Sequence, residues 1–387
     1  MEYMKRLIAA ASTLLLVALL AVLLFQQTPV TPFEVNPPYI GVAFGGNTVE
    51  QAKAIIDRTK NYTNLFIVQS GPVSINETAL TEICDYAYQS GLNLIVYFGD
   101  LSPRLLAPQG LAWRNTWVIN AKGAYGEQLL GIYYYDEPGG IFLDTNKTAV
   151  GWGLFDNETY DSVAERFKRS FQREQGIVFL KNASIPMYCS DYALYWFDYH
   201  FGYDVVFAEV GWNNTRIEKE IALVRGAANF QQKDWGIIVT WTNTQPPYLE
   251  SGPKIYEQMR ACYEAGAKYL TIFNYPYEES GGYGIMEDEH FEALEQIWAD
   301  IAEGKITQKT KPEAVLILPQ NYGFGLRSAD DTIWGFWEPD ENSAVIWDKA
   351  MQLLETYGHK LDIAYDDPDY TLPEIYSAVY YWNSTLP

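Results

Sequence analysis

The stretch LLGIYYYDEPGG, residues 129–140, contains both a strand pattern and a pair of adjacent acids. Its first part is a nearly continuous apolar and aromatic run, which is typical of a strand that is buried on both faces. Asp136 and Glu137 follow directly, and a proline and two glycines then end the pattern. The stretch therefore predicts a buried strand whose carboxyl end carries polar chemistry.

Seven other runs of the same kind lie on either side of this strand and alternate with helical patterns. The eight predicted strands cover residues 39–46, 64–71, 93–100, 129–138, 184–192, 203–212, 235–243 and 269–277. Thr48 and Gln51 have the spacing of a capping box, and Gly91 suits the end of a helix. Eight strand–helix units predict an α/β fold, a (β/α)8 TIM barrel over residues 38–305.

Residues 306–387 predict a small separate α/β unit. A polar linker precedes strand-like runs at 314–319, 360–368 and 376–383, with a helical pattern at 343–358. This order resembles the start of a flavodoxin-like domain that stops after three strands. The segment carries no glycine-rich phosphate loop, so we expect a module that packs against the barrel.

The N-terminal residues predict export. Lys5 and Arg6 precede an apolar run of 19 residues, 7–25, which is about long enough to span a bilayer. We expect a signal anchor or transmembrane helix in residues 1–28, a spacer in 29–37, and the body of the chain outside the membrane. A cleaved signal peptide, and hence a secreted protein, is the alternative.

Seven N-x-S/T sequons also fit an exported glycoprotein. They lie at Asn61, Asn76, Asn146, Asn157, Asn182, Asn213 and Asn383. The alternative is that an Asn- and Thr-rich sequence contains such triplets by chance.

Charge and composition exclude several classes of function. The formal net charge of −22 argues against nucleic-acid binding. Cys84, Cys189 and Cys262 are widely spaced, and together with only three histidines they form neither a disulfide framework nor a metal-ligand pattern. We therefore expect no metal and no cofactor, and any catalysis has to use carboxylates and tyrosines.

The active site of a TIM barrel lies at the carboxyl ends of its strands. Asp136 and Glu137 end the fourth predicted strand and Glu209 lies near the end of the sixth, which makes them the candidate catalytic residues. Paired carboxylates are what glycosidic bond cleavage uses, and aromatic rings offer flat faces to sugars. The candidate carbohydrate-binding residues at the strand ends are Tyr97, Tyr135, Tyr188, Trp212, Trp241, Asn274 and Tyr275.

The segment YYYDEPGG resembles the fourth-strand signature of TIM-barrel glycoside hydrolases. In clan A this strand ends in Asn-Glu-Pro, and the resemblance implies that Glu137 is the acid/base, with Asp136 in place of the Asn. The adjacent Asp-Glu pair is also similar to hexosaminidase-type families, in which the Asp orients the acetamido group of the substrate and the Glu is the acid. Clan A places a nucleophilic Glu at the end of strand seven, where this chain has Trp241. That departure leaves a substrate-assisted mechanism or a partner such as Glu209.

Two hypotheses remain open. The first is a membrane-anchored, extracytoplasmic glycoside hydrolase-like protein that acts on a glycan with Glu137 as general acid/base. The second is a catalytically silent barrel that binds glycan or has a structural role at the cell surface. An acid facing Glu137 at about 5–5.5 Å indicates a retaining mechanism, and one at about 6.5–9.5 Å an inverting one. With Asp136 alone beside Glu137, substrate-assisted cleavage or binding without catalysis remains.

Overall fold

The structure is a computed structural model, and it describes residues 37–144, 157–211, 216–276 and 283–385. The apolar run at 7–25 lies outside these residues, as do Asn146, Trp212 and Asn213. Within the described ranges, no helix is both long and apolar enough to cross a membrane. Contacts between Cα atoms group the chain from Pro38 onward into one compact unit.

Eight parallel strands close into a barrel, which confirms the predicted (β/α)8 architecture. Each strand pairs with the next in sequence, and the eighth pairs with the first from Tyr39 with Tyr269 to Phe44 with Asn274. The strands are β1 (Tyr39–Phe44), β2 (Leu65–Val68), β3 (Asn93–Phe98), β4 (Leu129–Tyr134), β5 (Met187–Asp191), β6 (Val205–Val210), β7 (Asp234–Val239) and β8 (Tyr269–Asn274).

Helices between the strands cover the outside of the barrel. They are α1 (Val49–Thr59), α2 (Gly71–Ser74), α3 (Glu77–Gln89), α4 (Pro103–Leu106), α5 (Trp113–Tyr125), α6 (Pro138–Asp144), α7 (Tyr160–Gln172), α8 (Gln175–Asn182), α9 (Tyr195–Phe201), α10 (Ile217–Gln231), α11 (Gly252–Glu264) and α12 (Asp288–Ala302). The predicted capping box is present, since the Thr48 side chain accepts from the Gln51 backbone and the Gln51 side chain accepts from the Thr48 backbone. Gly91 follows α3 with a φ of 80°.

Large side chains fill the inside of the barrel below its carboxyl-end opening, which we call the mouth. Tyr188 on β5 and Tyr269 on β8 meet there through their hydroxyl oxygens, 3.1 Å apart, and both pack against Phe207 on β6. The same buried cluster includes Tyr133 on β4. Because this layer closes the barrel, only side chains nearer the strand ends reach the mouth.

Three further strands form the predicted C-terminal sheet. Strand β9 (Ala314–Leu318) lies in the middle, with β10 (Leu361–Tyr365) and β11 (Ala378–Tyr381) parallel to it on either side. Helix α13 (Glu341–Tyr357) connects β9 to β10. Along the chain, the strand–helix–strand–strand order agrees with the prediction, and the structure adds the spatial order β10-β9-β11.

The C-terminal sheet packs on helix α10 of the barrel through a close backbone contact and a buried ion pair. A Cβ atom at Gly226 would lie 2.2 Å from the carbonyl oxygen of Ile363, so only glycine permits this approach. One residue earlier, the Arg225 guanidinium donates to Asp362 on β10 at 2.7 Å, and both side chains are almost fully buried. Asp362 also accepts from Asn229 and Tyr376, so its carboxylate is well satisfied.

We predict that Asp362→Ala destabilises the protein by about 3–5 kcal/mol, because it leaves a buried guanidinium without its counterion. Urea unfolding of the variant and the wild type measures the difference. The matched control is Glu313→Gln, which breaks the half-exposed Lys360–Glu313 pair and is expected to cost less than about 1 kcal/mol. Equal losses in the two variants would contradict the inference that the Arg225–Asp362 pair joins the sheet to the barrel.

Candidate active site

The turn after β4 has a backbone conformation that most residues avoid. Tyr135 and Glu137 have φ values of 57° and 47°, in the left-handed region that favours glycine. The backbone N–H of Glu137 donates to the carbonyl of Ser190 on β5 at 3.1 Å, which holds the turn against the neighbouring strand. Strained backbone of this kind persists only where surrounding structure fixes it, and such positions are concentrated at functional sites.

Asp191, the last residue of β5, fixes the helix that begins directly after Glu137. Its carboxylate accepts from the backbone N–H groups of Gly139 at 2.6 Å and Gly140 at 2.8 Å, in the first turn of α6. It also accepts from Tyr192 and Ala193, so that four backbone donors converge on one carboxyl. The carboxyl of Glu137 is therefore positioned by two adjacent strands rather than by a free loop.

A second buried acid stabilises this arrangement. The side chain of Asp198 on α9 is fully buried, and burial together with the charge of Asp191 raises the pKa of Asp198 well above its ordinary value. Burial also raises the pKa of Asp191 to about 7, although the backbone N–H donors oppose the change. Two buried carboxyls in contact cannot both ionise, so the pair shares one proton.

Glu137 and Glu209 form a second carboxyl pair inside the mouth. The two side chains are hydrogen-bonded to each other. The pKa of Glu137 is raised to about 7, mainly by burial and by the charge of Asp136. The hydrogen bond from Glu209 acts in the opposite direction and limits this rise. Burial and the charge of Glu137 raise the pKa of Glu209 well above its ordinary value, so Glu209 is the protonated partner. The pair thus keeps Glu137 close to the midpoint of its titration at neutral pH.

Two hydroxyl groups connect Glu209 to Asp136. The Ser190 hydroxyl lies 2.5 Å from Oε1 of Glu209 and 2.7 Å from the Tyr133 hydroxyl. The Tyr133 hydroxyl in turn donates to Oδ1 of Asp136 at 2.6 Å and accepts from the Ser190 backbone N–H at 2.9 Å. The five groups form one chain of contacts in the order Glu137, Glu209, Ser190, Tyr133, Asp136.

Asp136 is the member of this chain that is open to solvent. Its side chain is exposed, yet protein surrounds the recess in which it lies, and this burial raises its pKa against the Tyr133 hydrogen bond. Contact with water limits that rise, since a solvated carboxylate keeps most of its hydration. Gln69 at the end of β2 adds a weak contact of 3.5 Å to Oδ1. Asp136 is therefore the carboxyl group of the chain that a ligand in the mouth meets.

Aromatic rings form the opposite wall of the mouth, at the ends of β7 and β8. Trp241 lies 6.5 Å from Phe273 and 5.7 Å from Tyr275, measured between ring centroids. Phe273 and Tyr275 are stacked at 6.3 Å, and the Tyr275 side chain is exposed. On the β3 side, Tyr97 meets the edge of Tyr133 at 5.5 Å. Flat apolar faces with polar edges are surfaces on which sugar rings stack.

The structure separates the remaining sequence-predicted residues from the mouth. Tyr188 points into the barrel but lies one layer too deep, where it packs against Phe207 and Tyr269. Asn274 is buried and faces outward, where its side-chain oxygen accepts from the backbone of Met286. Tyr135 lies at the rim, with its hydroxyl 3.5 Å from Asp100. Tyr188 and Asn274 are therefore packing residues rather than ligand-binding ones, and Trp212 lies outside the described residues.

The prediction of Glu209 as a site residue agrees with its place in the mouth, but the sequence did not reveal its partners. Ser190, Tyr133 and Asp191 each belong to a strand end, and Phe273 precedes Asn274 on β8. A strand-end position alone does not distinguish them from packing residues. Alternation along β4, β5 and β8, with every second residue facing inward, identifies Tyr133, Ser190 and Phe273 once a strand is aligned with its neighbours, but it does not identify Asp191, which follows Ser190 directly.

Within the described ranges, no group of three or more His, Cys, Asp or Glu side chains is placed to hold a metal ion. The three cysteines are buried and unpaired. The chemistry that the described mouth offers is therefore that of carboxyl, hydroxyl and aromatic groups.

Comparison with known proteins supports the fold and leaves the family open. No family model matches the sequence, and no curated protein matches it. A GH5_18 glycoside hydrolase of Streptomyces cattleya, crystallised with Manb1-4GlcNAc, superposes with a TM-score of 0.54 at 11% identity, over 89% of this chain and 99% of that one. The α-L-fucosidase isoenzyme 2 of Paenibacillus thiaminolyticus gives 0.48 at 12% identity, over 85% and 58%. The closed eight-stranded barrel and the first of these matches show that the chain has a TIM-barrel fold.

We predict that the Glu137–Glu209 pair makes the folded protein less stable as the pH rises. The pKa of Glu137 is about 7 in the folded state against an ordinary 4.5, so the folded protein holds more protons between those values. Linkage then requires the free energy of unfolding to fall as pH rises through this range. Glu209→Gln removes one of the two carboxyls. Its free energy of unfolding should therefore rise relative to that of the wild type from about pH 5 to pH 8. Urea unfolding at a series of pH values measures it.

The control for this prediction is Glu264→Gln. Although burial pushes the pKa of Glu264 upward, hydrogen bonds from Lys309 and Arg260 lower it below its ordinary value. The titration of Glu264 is therefore complete below that pH range. This variant should leave the pH dependence of the free energy of unfolding unchanged. If the free energy of unfolding of Glu209→Gln has the same pH dependence as that of the wild type, the carboxyl pair does not share a proton.

Proposed function

We propose that this protein cleaves glycosidic bonds, with Glu137 as general acid and then general base. The observation that carries the proposal is the half-buried Glu137 carboxyl at the end of β4, whose pKa is raised to about 7 by burial and by Asp136. A general acid has to be protonated before the bond breaks and has to release its proton readily, so a pKa near the working pH is best. The barrel fold and the aromatic wall support the same function.

Glu209 acts in this mechanism through Glu137 rather than on the sugar. Retaining and inverting hydrolases separate their two carboxyls by about 5–5.5 Å and about 6.5–9.5 Å, so that a sugar carbon or a water fits between them. A hydrogen bond from Glu209 lowers the pKa of Glu137, so the two carboxyls lie closer together than either of these mechanisms requires. We infer that Glu209 is a positioning residue: its O–H stabilises the Glu137 carboxylate after the proton has gone to the leaving oxygen.

Asp136 is the second group that touches the substrate in this proposal. It is the exposed carboxylate next to Glu137, and Tyr133 holds it in place. The nucleophile we propose is the 2-acetamido oxygen of the substrate, as the resemblance to hexosaminidase-type families implies. Glu137 gives its proton to the glycosidic oxygen while the acetamido oxygen bonds to C1 and the C1–O bond breaks. Asp136 accepts a hydrogen bond from the acetamido N–H. Water then attacks C1 and opens the ring that the acetamido group formed with it, and Glu137 takes a proton from that water.

We expect Glu137→Gln to reduce kcat by about 10²–10⁴-fold on substrates whose leaving group needs protonation. On a 2,4-dinitrophenyl glycoside the loss should be much smaller, because that leaving group departs without a proton. Initial rates on paired aryl and alkyl 2-acetamido-2-deoxyglycosides measure both losses. The matched control is Glu264→Gln on α11, which should retain full activity on every substrate. Equal loss on good and poor leaving groups would show that Glu137 is not the acid.

The same assays distinguish the substrate-assisted mechanism from its alternative. Glycosides with a 2-acetamido group should react, their 2-hydroxy analogues should not, and Asp136→Asn should remove the difference. The second candidate function is glycan binding without catalysis, which the Trp241 side chain at the end of β7, in place of an acid, favours. Under that function the wild type and Glu137→Gln bind oligosaccharides equally and neither releases product.

We also propose that the protein is anchored in the membrane by residues 7–25, with the barrel on the extracytoplasmic side. The apolar run and the seven sequons support this location. Five sequon asparagines lie in the described ranges, and all five are exposed: Asn61, Asn76, Asn157, Asn182 and Asn383. Exposure is what an oligosaccharide attached to the asparagine requires.

We expect the full-length protein to remain in the membrane fraction after alkaline carbonate extraction and to carry N-linked glycans. Asn61→Gln should decrease its mass by one glycan, and Asn47→Gln, an exposed asparagine outside any sequon, should not. Mass spectrometry of the purified protein gives the result. An unglycosylated protein in the soluble cytoplasmic fraction would contradict the proposal, and a glycosylated protein in the medium would favour the cleaved signal peptide.

A further inference from the structure

The segment between β9 and α13 belongs to the C-terminal sheet in sequence, yet it contacts the helix that begins directly after Glu137. We call residues 319–340 the β9–α13 loop. Helix α6 begins directly after Glu137 and ends at Asp144. Asp191 holds its first turn, as described above, and the β9–α13 loop holds its last one.

Aromatic packing places the loop against α6. The ring of Phe142 on α6 meets Trp334 at 5.9 Å and Phe336 at 5.6 Å, both edge-on. Between these two rings, a Cβ atom at Gly335 would lie 2.5 Å from the carbonyl oxygen of Leu143. Gly335 has a φ of 67°, so the close approach and the backbone conformation both require glycine. The loop is therefore fitted to the end of α6.

Arg327 on this loop forms the polar part of the contact. Its Nη1 donates to Oδ1 of Asp144 at 2.7 Å, across 183 positions in sequence. Its other side donates to both carboxylate oxygens of Asp331, at 2.9 Å from Nε and 2.8 Å from Nη2. Asp331 is buried, so it fixes the plane of the guanidinium and leaves one nitrogen to bind Asp144.

Tyr192 completes the link from Arg327 to the mouth. Its hydroxyl donates to Oδ2 of Asp144 at 2.6 Å, so that each carboxylate oxygen of Asp144 has one partner. The guanidinium of Arg327 lies over the Tyr192 ring, 5.7 Å from its centroid. The same ring lies against Gly140 in the first turn of α6. The Tyr192 side chain therefore contacts both the first turn and the last residue of α6, and the Arg327 guanidinium lies over its ring.

We propose that Arg327 is a positioning residue for the active site, which holds α6 and Glu137 in place through Asp144 and Tyr192. This inference rests on the proposed function, and it gives the C-terminal sheet a part in catalysis. Arg327 has two effects on Glu137. It fixes the helix whose first turn determines where the Glu137 carboxyl lies, and it neutralises the charge of Asp144 near that carboxyl.

The charges around Glu137 determine the sign of the second effect. Burial and Asp136 are the main causes of its raised pKa, Glu209 opposes them through its hydrogen bond, and Asp144 adds a further rise. From β5 and the residue after it, Asp191 and the neutral Tyr192 hydroxyl face the same region. Arg327 is the cation bound to Asp144. Without it, the unscreened charge of Asp144 should raise the pKa of Glu137 further.

The test compares Arg327→Gln, Arg327→Lys, Asp144→Asn and the double variant Arg327→Gln/Asp144→Asn. Carboxyl resonances of ¹³C-labelled glutamate, with Glu137 assigned by its loss in Glu137→Gln, give the pKa of Glu137 without any substrate. We expect Arg327→Gln to raise this pKa by about half a unit and Asp144→Asn to lower it. The double variant should return it close to the wild-type value, and Arg327→Lys should leave it unchanged because the charge is kept.

Turnover of the 2-acetamido substrate measures the positioning effect. We expect kcat to fall about tenfold in Arg327→Gln, Arg327→Lys and the double variant, because all three loosen α6 and a small displacement of a catalytic group is costly. The matched control is Arg58→Gln. Arg58 also combines an ion pair, to Asp288, with a position over an aromatic ring, 5.2 Å from Phe291, but it lies on α1. Arg58→Gln should change neither the pKa of Glu137 nor kcat.

The two readouts separate this inference from the proposed function. If Arg327→Gln matches Arg58→Gln in both the pKa of Glu137 and kcat, the inference is overturned. If Arg327→Gln lowers the melting temperature and the active fraction without moving the Glu137 titration, the residue acts only on folding and the inference is also overturned. If the titration moves as expected while Glu137→Gln turns over as fast as the wild type, the inference stands and the proposed function fails.

Discussion

Repulsion among carboxyl groups is the constraint on which the site depends. Asp136, Glu137, Asp191 and Glu209 come from the ends of three adjacent strands, and Asp198 lies behind them. Together in a low-dielectric recess, five carboxylates would repel one another strongly. The structure removes part of that charge by pairing acids that share a proton, Asp191 with Asp198 and Glu137 with Glu209. The result is one structural pair that fixes the backbone and one titrating pair that faces the mouth.

The sequence was sufficient to predict the barrel and the position of Glu137. Eight continuous apolar runs separated by helical patterns leave few other folds, and the carboxyl ends of parallel strands must meet at one opening. It was not sufficient to predict which strand-end side chains point inward. Asn274 and Phe273 are neighbours on β8, and only Phe273 faces the barrel interior. A shift of one residue reverses that assignment, and the register of β8 against β1 is set by packing around the whole barrel.

Depth inside the barrel is a second property that sequence does not provide. Tyr188 and Ser190 both face inward on β5, two residues apart. Tyr188 joins the packed layer that closes the barrel, and Ser190 reaches Glu209 in the mouth. The difference depends on how far β5 is staggered against β4 and β6, where Tyr188 pairs with Tyr133 and Val205. Such stagger arises from barrel closure, which no single strand determines.

The relation between the C-terminal sheet and the barrel follows from contacts that are remote in sequence. The pattern of residues 306–387 predicts a module that packs against the barrel. The contacts themselves were not predicted: Arg225 and Gly226 of α10 are adapted to β10, and Arg327 and Gly335 are adapted to α6. Each contact depends on a side chain or a glycine whose partner lies more than 100 positions away. An α6 of seven residues that starts in strained backbone has little stability of its own. Support from β5 on one side and from the β9–α13 loop on the other is what allows Glu137 to keep a conformation that an isolated turn would lose.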